Sequence, residues 1–197
     1  MKEMIKMVVV LTVLSALSGG LLAALRDGTK DKIEMQELNL VKGPTIRSIL
    51  SGASNDPLTD RFNIKDGETE RSIFVGVFDG KPNTVAFEVS GKSFGGDIGM
   101  MVAVNVTDDK LVGVGVTTSQ DTPGLGLRAK TDPSFAAQFK GHSIDKTLKV
   151  TQDGGDINAL SGATITSRGV CATATDAETI YRRIKPQLMA KLKDFSK

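Results

Sequence analysis

The 197-residue chain has one cysteine, one histidine, one tyrosine and no tryptophan. A single thiol, Cys171, makes neither an internal disulfide nor a multi-thiolate metal centre, which excludes an iron–sulfur cluster. His142 has no cysteine near it, and no C-x-x-C-H run is present for haem attachment. A haem held by His142 and a methionine stays open on composition alone, and no metal ligands are assigned. If the chain does redox chemistry, an organic cofactor is the simplest carrier. With so few aromatics, a flat ligand must be held by backbone, aliphatic groups and phenylalanine. An excess of charge of one sign is also missing. The formal net charge is +2, and no Lys/Arg cluster falls on one predicted face, so a nucleic-acid partner is not expected. The hydrophobic share of 40% and charged share of 24% are ordinary for a folded domain. No internal repeat marks a solenoid.

One stretch has no charge at all. Residues 7–25 read MVVVLTVLSALSGGLLAAL, 19 residues between Lys6 and Arg26. At about 1.5 Å per residue, such a helix nearly spans a bilayer's hydrocarbon core. The run is long for a cleaved leader, and its end lacks an Ala-x-Ala site, so an uncleaved single-pass anchor is expected. Basic residues flank both ends, so the positive-inside rule does not orient it. A short inner tail and a long outer domain is the usual arrangement. Ser18, Gly19 and Gly20 are ordinary small residues of such a helix.

The expected domains are an anchor at 1–26, a linker and helical lead-in at 27–70, and a folded domain at 71–197. Residues 32–40 begin a helix that Gly43-Pro44 interrupts. Residues 51–67 are rich in Ser, Asp, Asn, Gly and Pro, and read as loop. Period-two alternation then marks four strands, around Ile73–Val75–Val77, Val85–Phe87–Val89, Met100–Val102–Val104–Val106 and Val112–Val114–Val116. Each is expected to bury one face. The turn at Thr107-Asp108-Asp109-Lys110 joins the last two as a hairpin. A short helix from Asp132 to Phe139 and a further strand from Ser143 to Val150 follow. Val170, Ala174, Ala177, Tyr181 and Ile184 step by four, three, four and three, an amphipathic helix that Pro186 kinks or restarts. The fold class is α+β: an antiparallel sheet meander with packed helices, plus one N-terminal transmembrane helix.

The chemistry is expected in residues 158–170, NALSGATITSRGV. Ser161, Gly162 and Ala163 are small enough for backbone to approach a bulky ligand. Thr164, Thr166 and Ser167 place hydroxyls just before a helix, whose first N–H groups and dipole favour an anion. On residues alone, this is either a phosphate site or an ordinary helix cap. A second stretch, residues 119–128, reads SQDTPGLGLR. Pro123 stiffens it, and Gly124 and Gly126 let backbone lie against a flat ligand. A common Gly/Pro turn is the plain alternative. The glycine-rich run 93–99 carries Phe94, for which a core position is the default. Cys171 is expected as a buried small hydrophobe, His142 as a surface or turn residue, and Arg182, Arg183 and Lys185 as a solvated face.

S-G-A-T followed by T-S resembles the flavinylation motif of a family of extracytoplasmic FMN-binding domains. That family includes the G subunit of the Rnf electron-transport complex and the C subunit of the sodium-translocating NADH:quinone reductase. The run Asp121-Thr122-Pro123-Gly124-Leu125-Gly126 is similar to the family's flavin-lining loop. The resemblance implies FMN joined by its phosphate to the Thr164 hydroxyl, attached by a flavin transferase that uses FAD. It implies Ser161, Gly162, Ala163, Thr166 and Ser167, with residues 121–126, around the flavin. It also implies a relay in a cell-membrane complex whose other subunits are its partners. Its main domain would be extracytoplasmic, and it would be a redox subunit rather than a stand-alone enzyme, without catalytic residues of its own. The length favours the G subunit of the Rnf type, which implies electron flow between ferredoxin and NAD coupled to sodium or proton movement. The C subunit of the quinone reductase, an anchored FMN-binding sensor and a structural module without flavin are the alternatives. One departure stands out: Asn158 occupies the position, six before Thr164, where the family motif usually has an acidic residue. Asp156 lies two residues earlier.

Overall fold

The computed structural model describes residues 1–196. The apolar run lies inside α1 (Lys2–Gln36), of which Lys2–Lys30 is long and apolar enough to cross a membrane. A π-helical segment, Glu37–Lys42, and α2 (Gly43–Ile49) follow. The interruption expected at Gly43-Pro44 is not seen as a break: the π-helical segment passes directly into α2. Pro44 falls in the first turn of α2, directly after the π-helical segment. The chain divides into two compact units, Met1–Leu40 and a second that begins at Val41.

The second unit is built on one sheet of five strands in sequence order, every neighbouring pair antiparallel. These are β1 (Arg61–Asp66), β2 (Thr69–Phe78), β3 (Lys81–Ser93), β4 (Gly96–Asn105) and β5 (Lys110–Ser119). The four expected strands and the last hairpin are present. β1 falls where composition reads as loop, and this expectation is corrected. The strand is short and polar, but Phe62 and Ile64 do alternate, and Asp66-Gly67 is a hairpin signal. Between β2 and β3, Asp79 and Gly80 both take positive φ (53° and 72°), the two-residue turn that suits twisted strands.

The long helix α5 (Thr164–Leu192) covers one face of the sheet. Its Val170, Ala174, Ala177, Tyr181, Ile184 and Leu188 pack against Ile73, Val75, Phe87, Val102 and their neighbours. Full burial of each larger side chain contributes about 1.5–3 kcal/mol. Pro186 does not break this helix; its ring is exposed while the apolar stripe runs on through Leu188 and Leu192.

The expectation of one buried face per strand is corrected by α2, which packs on the other side of β4 and β5. A Cβ at Gly113 would lie 3.2 Å from Ile49 Cβ, and one at Gly115 only 2.4 Å from Thr45 Cγ2. Phe74, Ala86, Met101 and Ala103 are therefore buried along with the alternate residues.

Beyond β5 come α3 (Arg128–Thr131) and α4 (Pro133–Ala137), the latter capped by Asp132, whose carboxylate accepts from Ser134 N–H at 3.0 Å. The strand expected at Ser143–Val150 is absent. Only single bridges form there, Lys110 with Ser143 and Val150 with Ile157. Ile144, Leu148 and Val150 are buried by side-chain packing, and their spacing mimics a strand without a ladder.

Ionic contacts tie α5 to the sheet. Asp66, buried, accepts from Arg183 on α5 and from Arg71 Nε at 2.7 Å on β2. The Arg183 hydrogen bond, with Arg71 adding to it, pulls the Asp66 carboxyl down to a pKa of about 2. Asp109, in the β4–β5 turn, accepts from Tyr181 Oη at 2.5 Å and Lys185 Nζ at 2.6 Å. Burial, with Asp109 adding to it, raises the Tyr181 pKa. Arg183 and Lys185 are thus bonded to the sheet side rather than forming only a solvated face.

Candidate functional site

Helix α5 starts at Thr164, and its N-cap is Ala163, with no side-chain hydrogen bond at the cap. Alanine is among the poorest caps, so the first-turn amides keep no side-chain acceptor. No acidic residue lies in that turn. A 29-residue helix therefore presents its positive end and free N–H groups at Thr164. The hydroxyls expected nearby have separate roles. Ser167 is fully buried; its Oγ accepts from Leu160 N–H at 3.0 Å and donates to Ala163 O at 3.0 Å. That pair fixes the loop onto the helix. Gly162 turns the chain with φ of +76°, a conformation that disfavours a side chain.

The helix end opens into a cleft of about 420 Å³, lined by Phe94, Thr122, Leu125, Gly126, Gly162, Ala163, Thr164, Ile165 and Thr166. That volume lies within the usual range for small-ligand sites. The lining has no ionisable side chain. Phe94 is 70% exposed, Ile165 52% and Leu125 46%, and among the described residues after Val41 only Met189 is a further large exposed hydrophobe. Three of those four converge on one cleft. An apolar surface of this kind beside a helix N-terminus matches a ligand with a flat ring at one end and an anion at the other.

The walls are held from beneath. Asp121 is buried, and its Oδ1 accepts from Gly95 N–H at 2.6 Å while Oδ2 accepts from Ser119 Oγ at 3.0 Å. Gly126 lies so close beneath the helix start that a Cβ there would be 2.6 Å from Thr166 Oγ1 and 2.7 Å from Asp121 Cβ. At the far side, a Cβ on Gly169 would be 2.4 Å from Lys92 O, so α5 rests directly on the end of β3.

The loop before Thr164 is also fastened. Asn158 N–H donates to Gln138 Oε1 at 2.7 Å, and Gln138 Nε2 donates to Asn158 O at 3.2 Å. Arg168 donates twice to Asp153, at 2.6 Å and 2.7 Å. The arginine beside it holds the Asp153 carboxyl below its ordinary pKa.

The two sequence stretches thus meet in space. Thr122, Leu125 and Gly126 from one, and Gly162, Ala163, Thr164 and Thr166 from the other, line the cleft. Asp121 and Ser167 lie buried behind it. Ser161, Pro123 and Gly124 are exposed and outside the lining. Phe94, expected in the core, stands exposed on the cleft wall instead, because the β3–β4 turn projects beyond the sheet. Sequence reasoning misses Ile165; an apolar residue between two threonines at a helix start is its only signal. Cys171 is buried as expected, and burial raises its thiol pKa to about 12.

Residues 93–178 match the family model of the FMN-binding domain, a stretch that contains every residue of the cleft. The G subunit of the ion-translocating oxidoreductase complex of Cereibacter sphaeroides is 30% identical over 186 residues, covering 90% of this chain and 84% of the relative. The G subunit of the proton-translocating ferredoxin:NAD(+) oxidoreductase complex of Clostridium ljungdahlii is 31% identical over 170 residues, covering 85% of each. Among solved structures, the C subunit of the Na(+)-translocating NADH-quinone reductase of Parabacteroides distasonis superposes with a TM-score of 0.59 at 21% identity, covering 83% of this chain and 96% of that one. NqrC of Shewanella oneidensis gives 0.53 at 24%, covering 71% and 72%. These two likenesses concern the fold. With relatives at this identity matched over most of both chains, the chain belongs to the family of G subunits of ion-translocating oxidoreductase complexes.

Proposed function

We propose that the chain is the electron-relay flavoprotein subunit of a membrane-bound, Rnf-type ferredoxin:NAD oxidoreductase complex, with FMN joined by a phosphoester to Thr164. Residues 1–26 anchor it, 27–70 lead in, and 71–197 carry the flavin on the extracytoplasmic side. Its partners are the other subunits of the complex and, during maturation, a flavin transferase. One observation carries this reading: an uncapped helix N-terminus with a threonine hydroxyl at its first residue opens into an apolar cleft.

The residues present fit FMN. The first-turn amides and the dipole of α5 stabilise a phosphate beside Thr164. Phe94, Leu125 and Ile165 supply apolar surface for a ring system, and Gly126 and Gly162 leave backbone room. When bound, the flavin supplies one- and two-electron chemistry. Thr164 would supply the hydroxyl oxygen that takes the FMN phosphate from FAD, with AMP as the group released and the hydroxyl proton given up. No side chain of the cleft is ionisable, which suits a relay that needs no general base.

The test is the intact mass of the chain purified from its own membranes, compared with Thr164→Ala. The expected result is an added mass equal to phosphoester-linked FMN, absent in the variant. An unmodified native chain would overturn the covalent attachment and make Asn158 the first residue to restore to an acidic side chain.

A further inference from the structure

Asp121 stands apart from the other carboxylates near the cleft. It is 4% exposed, and among the described residues it forms no ion pair. Its acceptor oxygens are turned to a backbone amide and a hydroxyl. Burying a carboxylate costs free energy unless its hydrogen bonds are satisfied, and the bonds it makes order a neighbouring segment. The amide is that of Gly95, in the β3–β4 turn, at 2.6 Å. The hydroxyl is that of Ser119, at the end of β5, whose Oγ also accepts from Asp121 N–H at 3.1 Å. Gly95 sits so close to this strand end that a Cβ there would lie 2.3 Å from Gln120 O. The residue before it is Phe94, the most exposed apolar side chain of the cleft. On its other side, the Asp121 side chain touches the position of Gly126, which in turn meets Thr166 on α5. One side chain therefore joins the turn that carries Phe94 to the 122–126 loop, and that loop in turn meets the start of the helix at Thr166.

We propose that Asp121 is the positioning residue of the cleft: its carboxylate, reaching across to Gly95 N–H, fixes the Phe94 wall and thereby sets the surroundings of a ring held against that wall. The second half rests on the flavin reading given above; the first does not. Asparagine at 121 keeps an oxygen that can accept from Gly95, whereas alanine keeps none. A role confined to general packing would not distinguish the two in this way.

The experiment uses the full-length chain in detergent, produced with and without a flavin transferase, as wild type, Asp121→Asn and Asp121→Ala. Hydrogen exchange followed by mass spectrometry reads the 92–96 segment, with a peptide from the middle of α5 as the internal control. Without flavin, the expected result for Asp121→Ala is exchange about tenfold faster at 92–96, with the α5 peptide unchanged. Asp121→Asn is expected to recover most of the protection. With flavin attached, the midpoint potential and flavin fluorescence are expected to move in Asp121→Ala and to return toward wild type in Asp121→Asn.

Unchanged exchange at 92–96 in Asp121→Ala, or no recovery in Asp121→Asn, would overturn the positioning role. Altered exchange with an unaltered potential and fluorescence would overturn the link to the ring. A wild-type chain that takes up no flavin would instead defeat the flavin reading, while the exchange comparison still decides the role of Asp121. If Asp121→Ala does not fold, Ser119→Ala, which removes one of its two anchors, is expected to loosen the same segment to a lesser degree. No loosening there would count against the proposal.

Discussion

At the scale of single residues, Asp66 is a clear case of a charge whose value depends on the fold. Its carboxyl is depressed from 3.8 to about 2 by Arg183 and Arg71. A carboxyl held lower in the folded chain than in the unfolded one contributes stability that is whole above about pH 4 and lost as pH falls toward 2. Asp66→Asn is expected to cost about 1.5–3 kcal/mol near neutrality, the usual range for a hydrogen bond to a charged group. Denaturant unfolding should show the gap between wild type and variant closing between pH 4 and pH 2. A gap constant through that range would mean that Asp66 acts by packing alone. In the sequence, Asp66 is one of several acids in a polar stretch, and nothing local pairs it with Arg183, 117 residues away.

Elements are legible where hydrophobic pattern alone decides them. Strands β2 to β5 and the apolar stripe of α5 follow from periods of two and about 3.6. Elsewhere packing overrides local signals. Pro186 removes a backbone donor inside α5 and crowds the preceding turn, yet the helix continues. Tyr181, Ile184 and Leu188 are each fully buried on either side of it, and Arg183 and Lys185 bond to Asp66 and Asp109. Those contacts outweigh a local cost of up to about 3 kcal/mol relative to alanine. Because Pro186 is exposed, Pro186→Ala should lose no burial. The expected outcome is a gain of about 1–3 kcal/mol and a melting temperature higher by several degrees, measured by calorimetry. A fall in stability would show that the proline fixes a curvature the sheet requires. The 143–150 segment errs in the opposite direction. Its buried residues are spaced like a strand, but the edge of β5 pairs with it at a single bridge.

For the molecule as a whole, the division at Leu40 and Val41 makes a separable prediction. The core of the second unit draws on α2, all five strands and α5, and among the described residues every buried hydrophobic side chain lies after Val41. A chain beginning at Val41 is therefore expected to unfold in one cooperative transition, with a denaturant midpoint close to that of the full-length protein in detergent. It should also stay in the supernatant after alkaline extraction of membranes, while the full-length chain stays in the pellet. Loss of cooperativity in the shortened chain would make α1 part of the folding unit. Release of the full-length chain by alkali would argue against a spanning anchor.

The sequence by itself determined the apolar anchor candidate, four of the five strands, the amphipathic helix and the two loop motifs. Each of these is written in neighbours a few residues apart, where side-chain period and turn chemistry act directly. It also carried the resemblance to the flavin family, because S-G-A-T and D-T-P-G-L-G are contiguous. Only the tertiary structure decided that the two loops share one cleft and that Phe94 stands on its wall rather than in the core. The same holds for Ala163, which leaves the helix end uncapped, and for Asp121, which bonds the β3–β4 turn to the end of β5 from behind the cleft. The physical reason is that exposure and hydrogen-bond partners belong to the way the β3–β4 turn, the 122–126 loop and the start of α5 close on each other. Those three segments lie tens of residues apart in the chain, and no local pattern records their meeting.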